Sequence, residues 1–386
     1  MIAERIRQAR LAADLTQEQL ADKVGMTKQV ISKYENGKSQ PNASVIMKLA
    51  HALNQEPGYF LRQPQTTVDW LGYRSKATLG VKAREGIQYR AETYVEQYVS
   101  LAEKLAMEHL ETLPRNQSVQ TVDEAEKLAL RVRQDWSLGH LPIDDITRLI
   151  EIKGGIVFGE QHEPDTRFDG LSGWINGERP VIVLNLSMPT DRRRFSLAHE
   201  LAHLLMDETS NTHKDVEKFA NRFAGAFIVS KEAAHQELGL RRNMLNLNEL
   251  IILKRKYGLS IAGWIYRARD LDIISAATAR RLWQELGELG WRKQEPVELE
   301  AEEAPTRLRQ MVLRAHAEGI ISRTQAENLC PGCLPPIENK HKVLSPREIM
   351  RLPFEERQRL LAESVKAAQG EDFELLEAFG EADFVD

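Results

Sequence analysis

The stretch 195-FSLAHELAHLLMD-207 restricts the fold more than any other part of the chain. Its alanines and leucines favour helix, and helical phase sets His199 and His203 one turn apart on one face. Two imidazoles placed in this way can converge on one metal ion. Glu200 follows the first of them, giving H-E-x-x-H, and sits where it can take a proton from a metal-bound water. The competing reading is a core helix with two hydrogen-bonded histidines, and a third ligand decides between the two. The run 217-EKFANRFAGAFIV-229 reads as a second helix, with Phe219, Phe223, Ala226 and Phe227 on its apolar side. Glu217, one turn before Asn221, offers a carboxylate as candidate third ligand, with Asn221 placed to orient a histidine. His213 is the alternative third ligand, or a polar group beside the site, and its N-T-H-K surroundings read as loop. Two histidines and a carboxylate leave a coordination position open for water. Zinc suits this set, and manganese or iron suits it too.

The chain has 386 residues, enough for two or three domains, and 42% hydrophobic content gives each a core. A net charge of −5 argues against a bulk nucleic-acid coat protein. Two cysteines exclude a disulfide scaffold. The start, MIAERIRQAR, lacks the apolar region of a signal peptide, and no apolar run is long enough to span a bilayer. The expectation is a cytoplasmic protein with no membrane partner. Charge is unevenly spread. Residues 1–62 carry nine Lys/Arg against six Asp/Glu, whereas 371-EDFELLEAFGEADFVD-386 has seven acids and no base, which suggests a different partner for each end.

Residues 1–62 read as five short helices. Ile2, Ile6 and Leu11 stripe the first, and Thr16 opens the second with a T-x-x-Q capping box. Gly25 ends it, Thr27 caps the third, and Asn36-Gly37 stops that one. Two short helices joined by a glycine turn form a helix-turn-helix. In the second of the pair Val30 and Ile31 pack inward, leaving Lys28, Gln29, Ser32 and Lys33 for base edges and phosphates. Gln17 lies at a helix N-terminus suited to phosphate, and Thr27 and Asn36 flank the reading helix. T-Q-E-Q-L-A, V-I-S-K-Y-E-N-G and P-N-A-S-V-I-M-K-L-A make this segment resemble the Cro-like (XRE-type) helix-turn-helix family over its whole length. That resemblance implies a double-stranded DNA operator and a homodimer spanning two half-sites.

Residues 63–90 read as a connector, followed by a long helix over about 91–113. Thr121 caps a helix running to about Trp136, and Asp144 or Asp145 opens another that ends near Gly154-Gly155. Ile156-Val157-Phe158, Leu171–Ile175 and 180-PVIVLN-185 are strand-like, with Asn176-Gly177 as a hairpin turn, so a small antiparallel sheet is expected. A strand edge beside the metal site is where an extended peptide could be held.

The run from Leu130-Arg131-Val132-Arg133 through Trp136, Pro142-Ile143, Gly155-Ile156, Gly170-Leu171-Ser172-Gly173 and Arg194–His203 to Glu217, Ala220-Asn221 and Phe223-Ala224 resembles the ImmA/IrrE metallopeptidase family. With the helix-turn-helix ahead of it, the likeness covers about residues 1–325. It implies a zincin-like domain, metal ligands His199, His203 and Glu217, and Glu200 as the base. It also implies a site-specific endopeptidase acting on a repressor or other regulatory protein. One departure is Phe227-Ile228-Val229-Ser230, where relatives end the second helix in L-L-M-P.

Further on, 250-LIILKRKYGLSIAGWIYRARDL-271 reads as amphipathic helix and 297-VELEAEEAP-305 as an acidic break. Cys330 and Cys333 form one C-x-x-C, half of a second metal site or a redox pair, with His341 the only downstream histidine able to join them and unpaired thiols as the plainer alternative. Ser345-Pro346 starts a capped helix, and L-P-F-E-E-R-Q-R-L-L with F-G-E-A-D-F resembles short antitoxin segments that neutralise ribonuclease toxins.

The expected fold class is α+β and mostly helical, a five-helix helix-turn-helix domain followed by a zincin-like domain with a small antiparallel sheet and the H-E-x-x-H helix. The expected domains are 1–62 (DNA-binding), 63–115 (connector and long helix), 116–295 (metallopeptidase), 296–334 (helical extension with C-x-x-C) and 335–386 (helical, acidic partner-binding tail). The function expected is that of a DNA-binding transcription regulator with a zinc-dependent endopeptidase domain acting on a repressor or antitoxin. The alternative is a repressor of a toxin–antitoxin pair that binds its toxin through the tail and uses the peptidase domain as scaffold or sensor.

Overall fold

Glycines, caps and buried stripes punctuate the amino-terminal head. The computed structural model describes residues 2–62, 66–71, 81–107, 113–161, 168–300 and 302–335, with Pro353 and Gln358. Two compact units divide the chain, Met1–Pro331 and Gly332–Asp386, and the first carries the helices and strands named below. The expectations for His341, for the helix at Ser345 and for the toxin-binding tail fall outside the described residues.

The head contains α1 (Ile2–Ala12), α2 (Gln17–Val24), α3 (Lys28–Glu35), α4 (Ala43–Ala52) and a 3-10 turn, Pro57–Phe60. The fifth expected helix is thus only a turn, opened by Pro57, which has no N–H to give, and by Gly58. Thr16 and Gln19 form the complete capping box of α2, and Gly25 closes it at φ 69°. Ile6, Leu20, Ile31, Leu49 and Phe60 are fully buried and form the head's core. Arg10 clamps α1 to α3 through both oxygens of Glu35, at 2.5 and 3.0 Å.

β1 (Val68–Trp70) and α5 (Val81–Lys104) follow. The expected connector therefore holds a strand and the first turns of the long helix. That helix starts ten residues earlier than the aromatic spacing indicates and stops at Lys104, where the chain turns and Ala106 takes a φ of 47°. The buried stripe Ile87, Ala91, Val95, Tyr98, Leu101 begins before the aromatic residues do. α5 joins the head to the sheet. Arg5 is bidentate to Glu96 at 3.0 and 2.9 Å, and Arg90 reaches Asp14 at 3.0 Å and Glu160 at 2.5 Å.

α6 (Val122–Asp135), capped by Thr121, and α7 (Ile146–Ile152), capped by Asp145, precede β2 (Ile156–Glu160), β3 (Gly170–Ile175) and β4 (Arg179–Asn185). The strand order is β1-β3-β4-β2. The sheet is mixed, correcting the antiparallel expectation. β3 and β4 form a hairpin through Asn176 and Gly177, at φ 49° and 71°, but β2 pairs with β4 in parallel. β2 lies beside β4 and not beside β3, its neighbour in sequence, and this non-local pairing fixes the direction. β1 lies antiparallel on the outer side of β3, with Val68 opposite Ile175 and Trp70 opposite Gly173.

α8 (Thr190–Leu205) and α9 (His213–Ile228) form the helical layer over the sheet. Leu197, Leu201, Phe223, Phe227 and Trp264 are buried within it. Beyond lie α10 (Lys231–Leu238), α11 (Leu247–Tyr257), α12 (Ile261–Asp270) and α13 (Ala276–Glu288). The single amphipathic helix expected over 250–271 is α11 and α12, separated at Gly258, which adopts φ 71°. The acidic break before α14 (Arg307–Ala317) and α15 (Arg323–Leu329) is a strap held by ion pairs. Lys254 Nζ donates to Glu295 at 2.8 Å and to Asp191 at 2.9 Å, and Arg194 pairs with Glu303 at 2.6 Å, both side chains almost wholly buried. Neither cysteine is a free thiol, which corrects the unpaired reading. Cys330 and Cys333 are disulfide-bonded, so they offer no thiolate to a metal. No described helix is long and apolar enough to cross a membrane.

Candidate metal centre

α8 starts after Pro189 and buries most of its surface between the sheet and α9. His199 and His203 share the face turned toward α9, and Glu217 stands on α9 opposite them. One ligand atom from each of the three lies within 4.8 Å of the other two. The individual separations are 3.0 Å between the two Nε2 atoms, 3.5 Å from His199 Nε2 to Glu217 Oε2, and 3.7 Å from His203 Nε2 to Glu217 Oε1. Tetrahedral zinc with bonds of about 2.0–2.1 Å sets its ligand atoms roughly 3.4 Å apart. The Nε2–Nε2 distance and the closest approach of each ring to the Glu217 carboxylate, one oxygen to each histidine, lie on either side of that value, so the donor set suits the ion.

The outer ring nitrogens fix the tautomers. His199 Nδ1–H donates to Asn221 Oδ1 at 3.1 Å. His203 Nδ1–H donates to Glu208 Oε1 at 2.5 Å. With Nδ1 protonated in both rings, both Nε2 lone pairs face the common point. Glu217 is held down to about 2, first by its hydrogen bond with His199 and then, against its partial burial, by the fields of His199, His203 and His213. It is therefore an anion at neutral pH. Burial opposes the charged form of His203, but the hydrogen bond to Glu208 and the carboxylates of Glu200, Glu208 and Glu217 outweigh it and raise its pKa. His213 is the first residue of α9, so the loop reading of it is corrected. Its Nε2 lies 3.8 Å from Glu217 Oε1 and it is half exposed, outside the convergent set of three.

Glu200 points to the sheet side and is buried. Ser172 Oγ–H donates to its Oε2 at 2.7 Å. Gly170, two residues earlier on the same face of β3, leaves room for it. A Cβ there would stand 3.0 Å from Glu200 Cγ and 3.3 Å from its Oε1. β3 is thus a cradle in which one residue is absent as a side chain and the other donates. Sequence reasoning missed Glu208 and the roles of Gly170 and Ser172. G-L-S-G was visible as a motif, but no local pattern tells which helix it faces, and Glu208 lies in the irregular turn after α8.

In the head, Lys28, Gln29, Lys33 and Asn36 are exposed on or beside α3. Ser32 is half-buried, and Asn36 Nδ2 donates to its carbonyl at 2.7 Å. Thr27 precedes α3 without a side-chain cap bond, contrary to the capping expectation. Gln17 Nε2 donates to Glu35 Oε2 at 2.7 Å, so its amide is tied to the α1–α3 clamp.

Residues 6–60 match the helix-turn-helix family model, and residues 156–268 match that of the IrrE N-terminal-like domain, of the M78 peptidases. The chain joins a helix-turn-helix domain to an IrrE-like domain. The latter match spans β2 to α12 and so contains His199, Glu200, His203 and Glu217. Three curated relatives are named as transcriptional regulators. An uncharacterized SPbeta prophage-derived HTH-type transcriptional regulator, YonR, of Bacillus subtilis (strain 168) is 30% identical over 69 residues, 18% of this chain and 64% of that protein. An uncharacterized HTH-type transcriptional regulator, y4wC, of Sinorhizobium fredii (strain NBRC 101917 / NGR234) is 36% identical over 59 residues, 15% of this chain and 41% of that protein. An uncharacterized transcriptional regulator in the ATPase CF(0) region of Rhodospirillum rubrum is 41% identical over 59 residues, 15% of this chain and 55% of that protein. The chain thus spans less than two thirds of the length of each of these relatives.

Proposed function

We propose that the protein is a DNA-binding transcription regulator whose IrrE-like domain is a zinc-dependent endopeptidase acting on a regulatory protein. The observation that carries this reading is the convergence of His199, His203 and Glu217 beside a cradled Glu200. A divalent zinc held by the three would act as a Lewis acid on the scissile carbonyl and lower the pKa of the attacking water. The residues of the chain do the rest. Asn221 and Glu208 hold the imidazoles with Nε2 inward. Ser172 occupies Oε2 of Glu200, leaving Oε1 to take the water's proton and pass it to the leaving amine. The same donor types accept manganese or iron, so the metal is part of the proposal. In the head, Lys28, Gln29, Ser32 and Lys33 present α3 to the major groove of an operator, with Thr27 and Asn36 at its ends and Gln17 near a phosphate. The names of relatives described as transcriptional regulators support this reading of the head.

The test compares new protein amino-termini in cells expressing the wild type or Glu200→Gln, each shown by elemental analysis to carry the same zinc. At least one sharp cleavage site is expected with the wild type alone. Identical sets of termini from the two would end the peptidase reading and leave a metal-holding regulator.

A further inference from the structure

The two histidines of the centre are held by different chemistry. His199 donates to a neutral amide, Asn221, at 3.1 Å, whereas His203 donates to a carboxylate, Glu208, at 2.5 Å. His203 is the more enclosed ring, with its side chain 8% exposed against 12% for His199. Glu208 cannot itself be a ligand of the ion that Nε2 faces, because it sits on the opposite, Nδ1 edge of the ring. Nor is it an idle surface acid. The segment that carries it is fastened on both sides to residues 117–119. Asp207 N–H donates to the Gln117 carbonyl at 2.9 Å, Gln117 N–H to the Leu205 carbonyl at 2.9 Å, and Asn211 Nδ2 to the Val119 carbonyl at 2.9 Å. Asp207 in turn accepts from the amide and hydroxyl of Thr209, at 2.9 and 2.7 Å, which shapes the turn between them.

We infer that Glu208 is the positioning residue of the metal centre, setting the tautomer, aim and donor strength of His203 through the fastened α8–α9 turn. The inference rests on the metal-site reading above. A carboxylate on the far nitrogen makes an imidazole a stronger donor and removes the freedom to flip, and loss of such a partner typically lowers metal affinity about 10- to 100-fold. His203 is then the firmly held ligand of the pair. His199, oriented by an amide, is the one able to shift when substrate enters.

The test uses zinc alone, competed against a chromophoric chelator, on the full-length protein and its Glu208→Ala, Glu208→Gln and Asn221→Ala variants. Melting of the metal-free proteins checks that each is folded. Glu208→Ala is expected to bind zinc about 10- to 100-fold more weakly, and more weakly than Asn221→Ala. Glu208→Gln should recover much of the loss, since its amide oxygen still accepts from Nδ1–H. Affinity of Glu208→Ala within about twofold of the wild type overturns the positioning role while leaving the metal site standing. Glu208→Gln weaker than Glu208→Ala overturns it too, because an acceptor on Nδ1–H would then not help His203 hold the ion. A wild type that takes up no zinc removes the metal-site reading itself, and the role of Glu208 with it.

Discussion

Removing Glu303 should loosen the domain that carries the His199, His203 and Glu217 cluster, although Glu303 lies in a stretch with no regular structure. Its side chain is 1% exposed and that of Arg194 is 3% exposed, with 2.6 Å between them. Glu303 Oε1 also accepts from Thr147 N–H at 2.6 Å, at the start of α7. Among the described residues, Glu303→Ala leaves a buried guanidinium with only the carbonyls of Ile143 and Asp144 as acceptors, and a buried amide with none. Breaking a buried pair from one side costs about 3–5 kcal/mol, because the surviving charge stays desolvated. The double variant Arg194→Met/Glu303→Gln removes both charges and should lose clearly less than Glu303→Ala alone. Urea unfolding followed by fluorescence of the buried Trp174 and Trp264 reports this domain. A Glu303→Ala protein within about 1 kcal/mol of the wild type would refute the argument that the strap is held by a desolvated pair. Arg194 lies on α8 ahead of His199, so zinc affinity measured in the same variants shows how far the loosening travels.

Two further outcomes follow from the packing. Gly170→Ala puts a Cβ 3.0 Å from Glu200 Cγ and 3.2 Å from the Val183 carbonyl, and should cost about 1–3 kcal/mol by overpacking while displacing the Glu200 side chain; an unfolding midpoint unchanged from wild type would show that Glu200 is not cradled there. Glu151 is buried beneath the start of α14, and burial raises its pKa to about 7, against hydrogen bonds from the Arg307 and Thr306 backbone. For this raised acid, stability is fully present below the ordinary value of 4.5 and is lost as pH climbs to about 7, by roughly 3 kcal/mol in total. Glu151→Gln, neutral throughout, should lack that decline, and parallel stability curves for the two proteins between those limits would contradict the assignment.

How much is legible in the sequence varies by element. The capping boxes at Thr16 and Thr121, the cap at Asp145 and the Asn176-Gly177 turn are local devices, and each stands where its residues indicate. Thr27 is the exception, since its hydroxyl is not used as a cap. The start of the long helix is hidden because aromatic residues mark only the middle of its buried stripe, which begins at Ile87. The direction of β2 and the existence of β1 are not legible. Three residues, Val68-Asp69-Trp70, have no periodicity to detect, and they are a strand only because β3 presents an edge. Glu303 reads as part of a solvated acidic run, and nothing local marks the one acid in it that meets a buried arginine.

The sequence by itself determined which side chains share a helical face. Spacing of four residues places His199 with His203 and Glu217 with Asn221, because the pitch of the helix is a property of the backbone alone. Only the tertiary structure decided what those faces meet. The approach of α9 to α8 sets three ligand atoms within 4.8 Å, β3 receives Glu200 between Gly170 and Ser172, and the α8–α9 turn delivers Glu208 to His203. These contacts join residues on different elements through a shared core, and the free energy that forms them is spread over that core, not written at any one position.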